Sequence, residues 1–268
     1  FIVLRVNIYN PVFYYFCFMK INNFLDATYL KTAINAGISE KENLKIVLSL
    51  TNEAIKYNYK LLMIRANYIT IVRKKLRQAK SITLIGTVIG FPEGIISVSE
   101  KLEEAQKGID LGVDELDFVI NYKEFKKGNF VLIEEEVIKC TKLCLENHKV
   151  IKWIIETAAL SNQEIVVISQ RIKEIVLKNF NLEESLSVFV KSSTGFFKTQ
   201  KNISNGATLE HMKLIIANVK PLKVKAAGGV RGFQDAQKMI ELGVDRIGTS
   251  SAKEIIENEL NLNKNNLY

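Results

Sequence analysis

The chain has 268 residues, 47% hydrophobic and 25% charged, with 14 Gly and 3 Pro, which excludes a disordered chain, a collagen-like repeat and a low-complexity fibre. Its 37 basic and 29 acidic residues leave a net charge of +8, yet the lysines are spread along the chain, so no nucleic-acid partner is expected and a phosphorylated small substrate suits the balance. Three cysteines (Cys17, Cys140 and Cys144) are too few for a disulfide framework and point to a reducing, cytoplasmic setting.

Phe1–Phe18 is apolar and aromatic, with Arg5 as its one charge, and is broken by Asn7, Asn10 and Pro11. A spanning helix needs about 20 unbroken apolar residues, and a secretory signal needs a basic start and a small-residue cleavage site. No membrane role is expected. Residues 1–19 read as an extension outside the catalytic fold, with a packing arm or a weak targeting segment as the alternative. Residues 20–260 read as one domain, and the Asn-rich residues 261–268 as a frayed tail.

Within that domain, short apolar β-branched runs alternate with longer amphipathic segments. The expected strands are Phe24–Tyr29, Leu61–Arg65, Thr83–Ile89, Glu115–Ile120, Val150–Ile155, Ser187–Lys191, Lys223–Ala227 and Arg246–Gly248. The expected helices are Ser39–Tyr57, Ile69–Gln78, Ser97–Leu111, Val131–Asn147, Asn162–Phe180, Thr208–Val219, Gly232–Leu242 and Ser250–Asn258. Gly112 and Gly243 stand where helix C-caps belong. Each follows in a Leu-Gly-Val-Asp stretch that leads into a strand, a half-repeat of one βα unit. Cys140 and Cys144, four apart on a helical pattern, form no recognised zinc spacing with His148 or His211, so no metal is expected. Eight such units predict an α/β fold, a single (β/α)8 TIM barrel. A doubly wound sheet would usually carry a Gly-rich loop after its first strand, and Asp26–Ala33 has no glycine.

Chemistry in such a barrel sits at the C-terminal ends of the strands. The sixth strand ends in Lys191, and the seventh carries Lys225 in the same inward phase as Ala227. The fourth carries Asp117 between apolar neighbours. One such lysine would most simply keep its ammonium in solvent or pair with an acid. With two on neighbouring strands, one ammonium lowers the pKa of the other by like-charge repulsion, and partial burial works the same way, giving a neutral amine that attacks a carbonyl, with Asp117 passing protons through a water. Ala227–Arg231 after strand seven and Gly248–Ser251 after strand eight offer backbone N–H groups at the two strand ends where this fold often binds phosphate.

Seven stretches resemble the 2-deoxyribose-5-phosphate aldolase family: Leu25–Lys31, Thr87–Pro92, Gly112–Tyr122, Trp153–Thr157, Phe189–Phe196, Val224–Arg231 and Arg246–Ser251. They run in family order over nearly the whole barrel. The resemblance implies a class I aldolase that cleaves 2-deoxy-D-ribose 5-phosphate reversibly to glyceraldehyde 3-phosphate and acetaldehyde. It implies Lys191 as the imine-forming lysine, so that no cofactor is needed, with Lys225 as the lysine that lowers its pKa and Asp117 as the proton-transfer residue. It also implies phosphate binding by Gly228, Gly229, Gly248, Ser250 and Ser251, helped by Thr194 and Gly195. The expected partners are a phosphosugar and a second copy of the chain. Ala27, Thr32, Arg65–Asn67 and the lysine-bearing segment Phe197–Gly206 depart from the family pattern at the expected substrate mouth. Another phosphosugar Schiff-base aldolase, and a catalytically silent barrel acting as a scaffold, are the alternatives.

Overall fold

The computed structural model of the chain describes residues 20–199 and 206–265; the expected extension, residues 1–19, lies outside the described residues. Eight parallel strands close into a barrel in chain order. They are β1 Leu25–Tyr29, β2 Leu61–Ile64, β3 Leu84–Ile89, β4 Glu115–Val119, β5 Val150–Ile154, β6 Val188–Lys191, β7 Lys223–Ala227 and β8 Arg246–Thr249. The eight long helices are α1 Glu40–Tyr57, α2 Ile69–Gln78, α3 Val98–Asp110, α4 Phe130–Glu146, α5 Asn162–Asn179, α6 Leu209–Val219, α7 Phe233–Glu241 and α8 Ala252–Asn265. The (β/α)8 expectation holds strand for strand, and no strand end moves by more than one residue.

The outward-pointing strand residues, such as Leu62, Ile85, Phe118, Trp153, Val190 and Ile247, are buried under the helices. Cys140 and Cys144 lie on the buried face of α4, and burial pushes the Cys140 thiol up to about 12. They are inert core residues.

Local chemistry explains where the helices begin and end. Ser39, Ser97 and Ser161 each accept a bond from the backbone N–H three residues on, where a glutamate returns the bond to the serine N–H. These capping boxes start α1, α3 and α5. Gly112 and Gly243 have φ of 87° and 101°, a left-handed turn that costs other residues steric strain. The two Leu-Gly-Val-Asp stretches do the same work. Asp114 Oδ2 accepts from Ile85 N–H on β3 and Asp245 Oδ2 from Val224 N–H on β7, each at 2.8 Å.

Two expectations change. α8 continues to Asn265, past Asn258 and into the expected tail, because asparagine weakens a helix without stopping it. Three short helices appear that no periodicity marks, Ala33–Ala36, Tyr122–Lys126 and Leu182–Ser185, each started by a side-chain cap from Thr32, Asn121 or Asn181. Among the described residues, no helix is long and apolar enough to cross a membrane.

One buried ion pair pins the barrel mouth from outside. Lys101 Nζ donates to Gly94 O and Val119 O at 2.7 Å and to the Glu136 carboxylate, whose other oxygen accepts from Asn121 N–H at 3.1 Å. This ties the loops after β3 and β4 to α4. Lys101→Met should cost about 3–5 kcal/mol, because it strands a buried carboxylate and two carbonyls. That is about a fifth or more of an ordinary domain's stability. Urea unfolding would show it as a lower midpoint; an unchanged midpoint would mean that water reaches Glu136.

Candidate active site

Strand alternation turns every second residue into the barrel, and the interior divides in two. Leu61, Met63 and Val88 form an apolar half with Leu30. The other half is ionic, and the strand register assembles it: Asp117 on β4 pairs with Lys152 on β5, Lys191 on β6 with Lys225 on β7, and Lys225 with Arg246 on β8.

Asp117 is the hub. Its Oδ2 accepts from Lys191 Nζ at 2.9 Å and from Lys225 Nζ at 2.8 Å, and its Oδ1 from Lys152 Nζ at 2.9 Å. Burial pushes the Asp117 carboxyl up, but the three ammonium groups outweigh burial and hold it well below the usual carboxylate range. Lys191 moves the other way. Burial is the main cause of its fall, Asp117 opposes it, and the Lys225 ammonium adds to it, leaving Lys191 at about 8. The sequence points to like-charge repulsion and partial burial acting together; in the structure burial is the larger of the two and repulsion by Lys225 the smaller.

Above this cluster opens a cavity of about 280 Å³ at the C-terminal ends of β1, β6, β7 and β8. Lys191 lines it, whereas Lys225, Lys152 and Asp117 do not. Gly248 on β8 leaves room for the Lys225 side chain: a Cβ there would stand 3.0 Å from Lys225 Cε and 3.2 Å from Ala227 Cβ.

The expected phosphate residues fall largely on the same cavity. Thr194, Gly195, Gly228, Gly229, Gly248 and Ser250 line it; Ser251 does not, and its N–H donates to Thr249 Oγ1 at 2.9 Å. Gly228 and Gly229 have φ of 85° and 87°, so two consecutive left-handed residues form the turn after β7. Thr249 Oγ1 donates to Val230 O at 2.7 Å, joining the loops after β7 and β8. Lys31 and Arg231 add two further cations to the cavity wall. Thr194, although it lines the cavity, is also held from behind. Its hydroxyl donates to the Glu156 carboxylate and its N–H reaches the same oxygen at 3.2 Å.

Five buried ionic residues here were not singled out in the sequence: Asp26, Glu115, Lys152, Glu156 and Arg246. Four stand in the inward phase of β1, β4, β5 and β8, so the alternation that marked Lys191 and Asp117 could have found them. Glu156 lies just beyond β5 with φ 56°, and accepts from Ser193 Oγ at 2.8 Å as well as from Thr194. Of the departures from the family pattern, Ala27 faces the outer core and leaves the cavity untouched, since alternation turns Asp26 and Thr28 inward. Thr32 caps the short helix that follows it. Arg65 Nε donates to Leu30 O at 2.9 Å, and its guanidinium lies 4.9 Å from the Phe91 ring, which meets Phe196 edge-on. Residues 200–205 of the departing loop lie outside the described residues.

No family model matches the chain. It is 34% identical over 244 residues to the deoxyribose-phosphate aldolase of Thermococcus gammatolerans, an alignment covering 91% of this chain and 98% of that protein. It is 37% identical over 245 residues to deoxyribose-phosphate aldolase 1 of Mesoplasma florum, with coverage of 91% and 98%. The solved structure of an aldolase named QR15 superposes with a TM-score of 0.74 at 30% identity, over 92% of this chain and 98% of that one.

Proposed function

Because the chain belongs to the deoxyribose-phosphate aldolase family, we propose that it cleaves 2-deoxy-D-ribose 5-phosphate reversibly to D-glyceraldehyde 3-phosphate and acetaldehyde through an imine on Lys191. It is a lyase that breaks a carbon–carbon bond. The observation that supports this best is the position of Lys191: of the three lysines held by Asp117, it alone lines the cavity. With its pKa at about 8, about one Lys191 in ten is neutral at pH 7, against a few in ten thousand for an ordinary lysine.

The neutral amine attacks the substrate aldehyde carbon, and the carbinolamine loses water to give a protonated imine. Removal of the proton from the C3 hydroxyl breaks the C2–C3 bond, and the electron pair moves into the enamine. Glyceraldehyde 3-phosphate leaves. Protonation of the enamine carbon and addition of water release acetaldehyde and the free lysine. The protonated imine is the electron sink, so this route draws on no cofactor. Asp117 stays ionised, orients the lysines, and passes protons only transiently, through a water or the ammonium beside it. The phosphate sits on the glycine amides after β7 and at the N-terminal end of α8, near Arg231 and Lys31. We place the enzyme in the cytoplasm and read it as a dimer, which sedimentation would test.

The test is retro-aldol turnover coupled to a triose-phosphate readout, on deoxyribose 5-phosphate and on unphosphorylated deoxyribose. Ser250→Glu sets a carboxylate against the phosphate. It should raise KM for the phosphorylated sugar by about tenfold and leave the unphosphorylated one nearly unchanged. No turnover in the wild type would defeat the reading, and an equal loss on both sugars would move the phosphate elsewhere.

A further inference from the structure

Six buried ionic side chains close into a ring inside the barrel. Asp117 meets Lys225 at 2.8 Å, and Lys225 meets Asp26 at 2.6 Å. Arg246 Nε donates to Asp26 Oδ1 at 2.7 Å, and its two terminal nitrogens reach the two oxygens of Glu115 at 3.1 and 3.2 Å. Glu115 meets Lys152 at 2.5 Å, and Lys152 returns to Asp117 at 2.9 Å. At their ordinary charges, the three carboxylates and three cations of this ring cancel. Lys191, attached to Asp117 from the cavity side, is a fourth cation with no carboxylate of its own.

We infer that Arg246, although it does not line the cavity, is a positioning residue for the reaction: by neutralising Asp26 and Glu115 it completes a balanced ring and leaves Lys191 as the cation that gives up its proton. The inference rests on the proposed imine at Lys191. Lys152 and Arg246 are both held above their ordinary values, since the carboxylates outweigh their burial, whereas Lys191 falls. The charged groups nearest Lys191 are Asp117 on β4, Lys152 and Glu156 on and beyond β5, and Lys225 on β7. Asp26, Glu115 and Arg246 stand one ion further away, and Lys31 and Arg231 stand on the cavity wall.

Charge balance predicts shifts of opposite sign from two residues in contact, which loss of structure does not. Removing a cation leaves the ring negative and makes Lys191 harder to deprotonate; removing an anion does the reverse. In Arg246→Met the acid limb of kcat/KM, which reports Lys191 in the free enzyme, should move up by about one pH unit. That is the shift Coulomb's law gives for one charge about 10 Å away in an effective dielectric of about 20. In Glu115→Gln the limb should move down by a similar amount. The double variant is neutral again and should return close to wild type, and Arg246→Lys should hold the wild-type limb. If Arg246→Met does not fold, Glu115→Gln and the double variant carry the test. A limb that stays put in Glu115→Gln, or that moves the same way in both single variants, overturns the inference. Borohydride trapping with acetaldehyde and peptide mapping accompany each variant. An adduct away from Lys191 would overturn the functional reading itself; an adduct on Lys191 with an unmoved limb overturns the inference alone.

Discussion

Lys191→Arg should lower kcat/KM for cleavage of deoxyribose 5-phosphate by at least about ten-thousandfold, the scale on which loss of a nucleophile is felt. Arginine keeps the cation beside Asp117, which lies 2.9 Å from the native ammonium, so the ionic cluster keeps its charge. What it loses is the neutral state, since a guanidinium does not deprotonate in a protein and forms no productive imine. Lys191→Met guards against a steric effect of the larger side chain and should be equally inactive. Activity within about tenfold of wild type in either variant would show that the imine forms on another lysine, with Lys225 and Lys152 next in line.

Lys225→Met should give the second-largest effect, and its direction distinguishes two roles. Removing this ammonium takes away a like charge that lowers Lys191, so the Lys191 value rises and the acid limb of kcat/KM moves to higher pH. The limb should stop well short of an ordinary lysine, because burial is the larger cause of the depression and survives the substitution. At pH 7 the rate should fall by about a hundredfold or more, from fewer neutral lysines and from an Asp117 that has lost one of its three partners. The variant should also lose a few kcal/mol of stability, since Asp26 and Asp117 each lose a cation in a buried site. A slower enzyme with an unmoved limb would reduce Lys225 to holding Asp117 in place.

The barrel and the centre of its site are legible in the sequence for one physical reason. A buried parallel strand is almost wholly apolar, so a charged residue in its inward phase stands out, as Lys191, Lys225 and Asp117 do. Lys152, Glu115, Asp26 and Arg246 carry the same signal. Their partners are another matter, since closure brings Asp26 on β1 against Arg246 on β8 and Glu115 on β4 against Arg246 across the barrel. A single strand shows only that a charge is inside, not which opposite charge it meets. Glu156 is less legible still. Its site is made by a left-handed backbone at a glutamate, which no propensity marks, and it accepts the Thr194 hydroxyl at the edge of the cavity. The relative weights of burial and repulsion at Lys191 also lie beyond the sequence, because only the packed structure sets how little water reaches the amine.

Trapping of the wild-type enzyme with acetaldehyde and borohydride, followed by peptide mapping, tests the central claim most directly. The account predicts one ethyl group per chain, carried by Lys191, with a trapping rate that climbs as pH is raised through about 8. An adduct on Lys225, Lys152 or Lys198, or a chain that gains no mass under conditions where it turns over deoxyribose 5-phosphate, would contradict it.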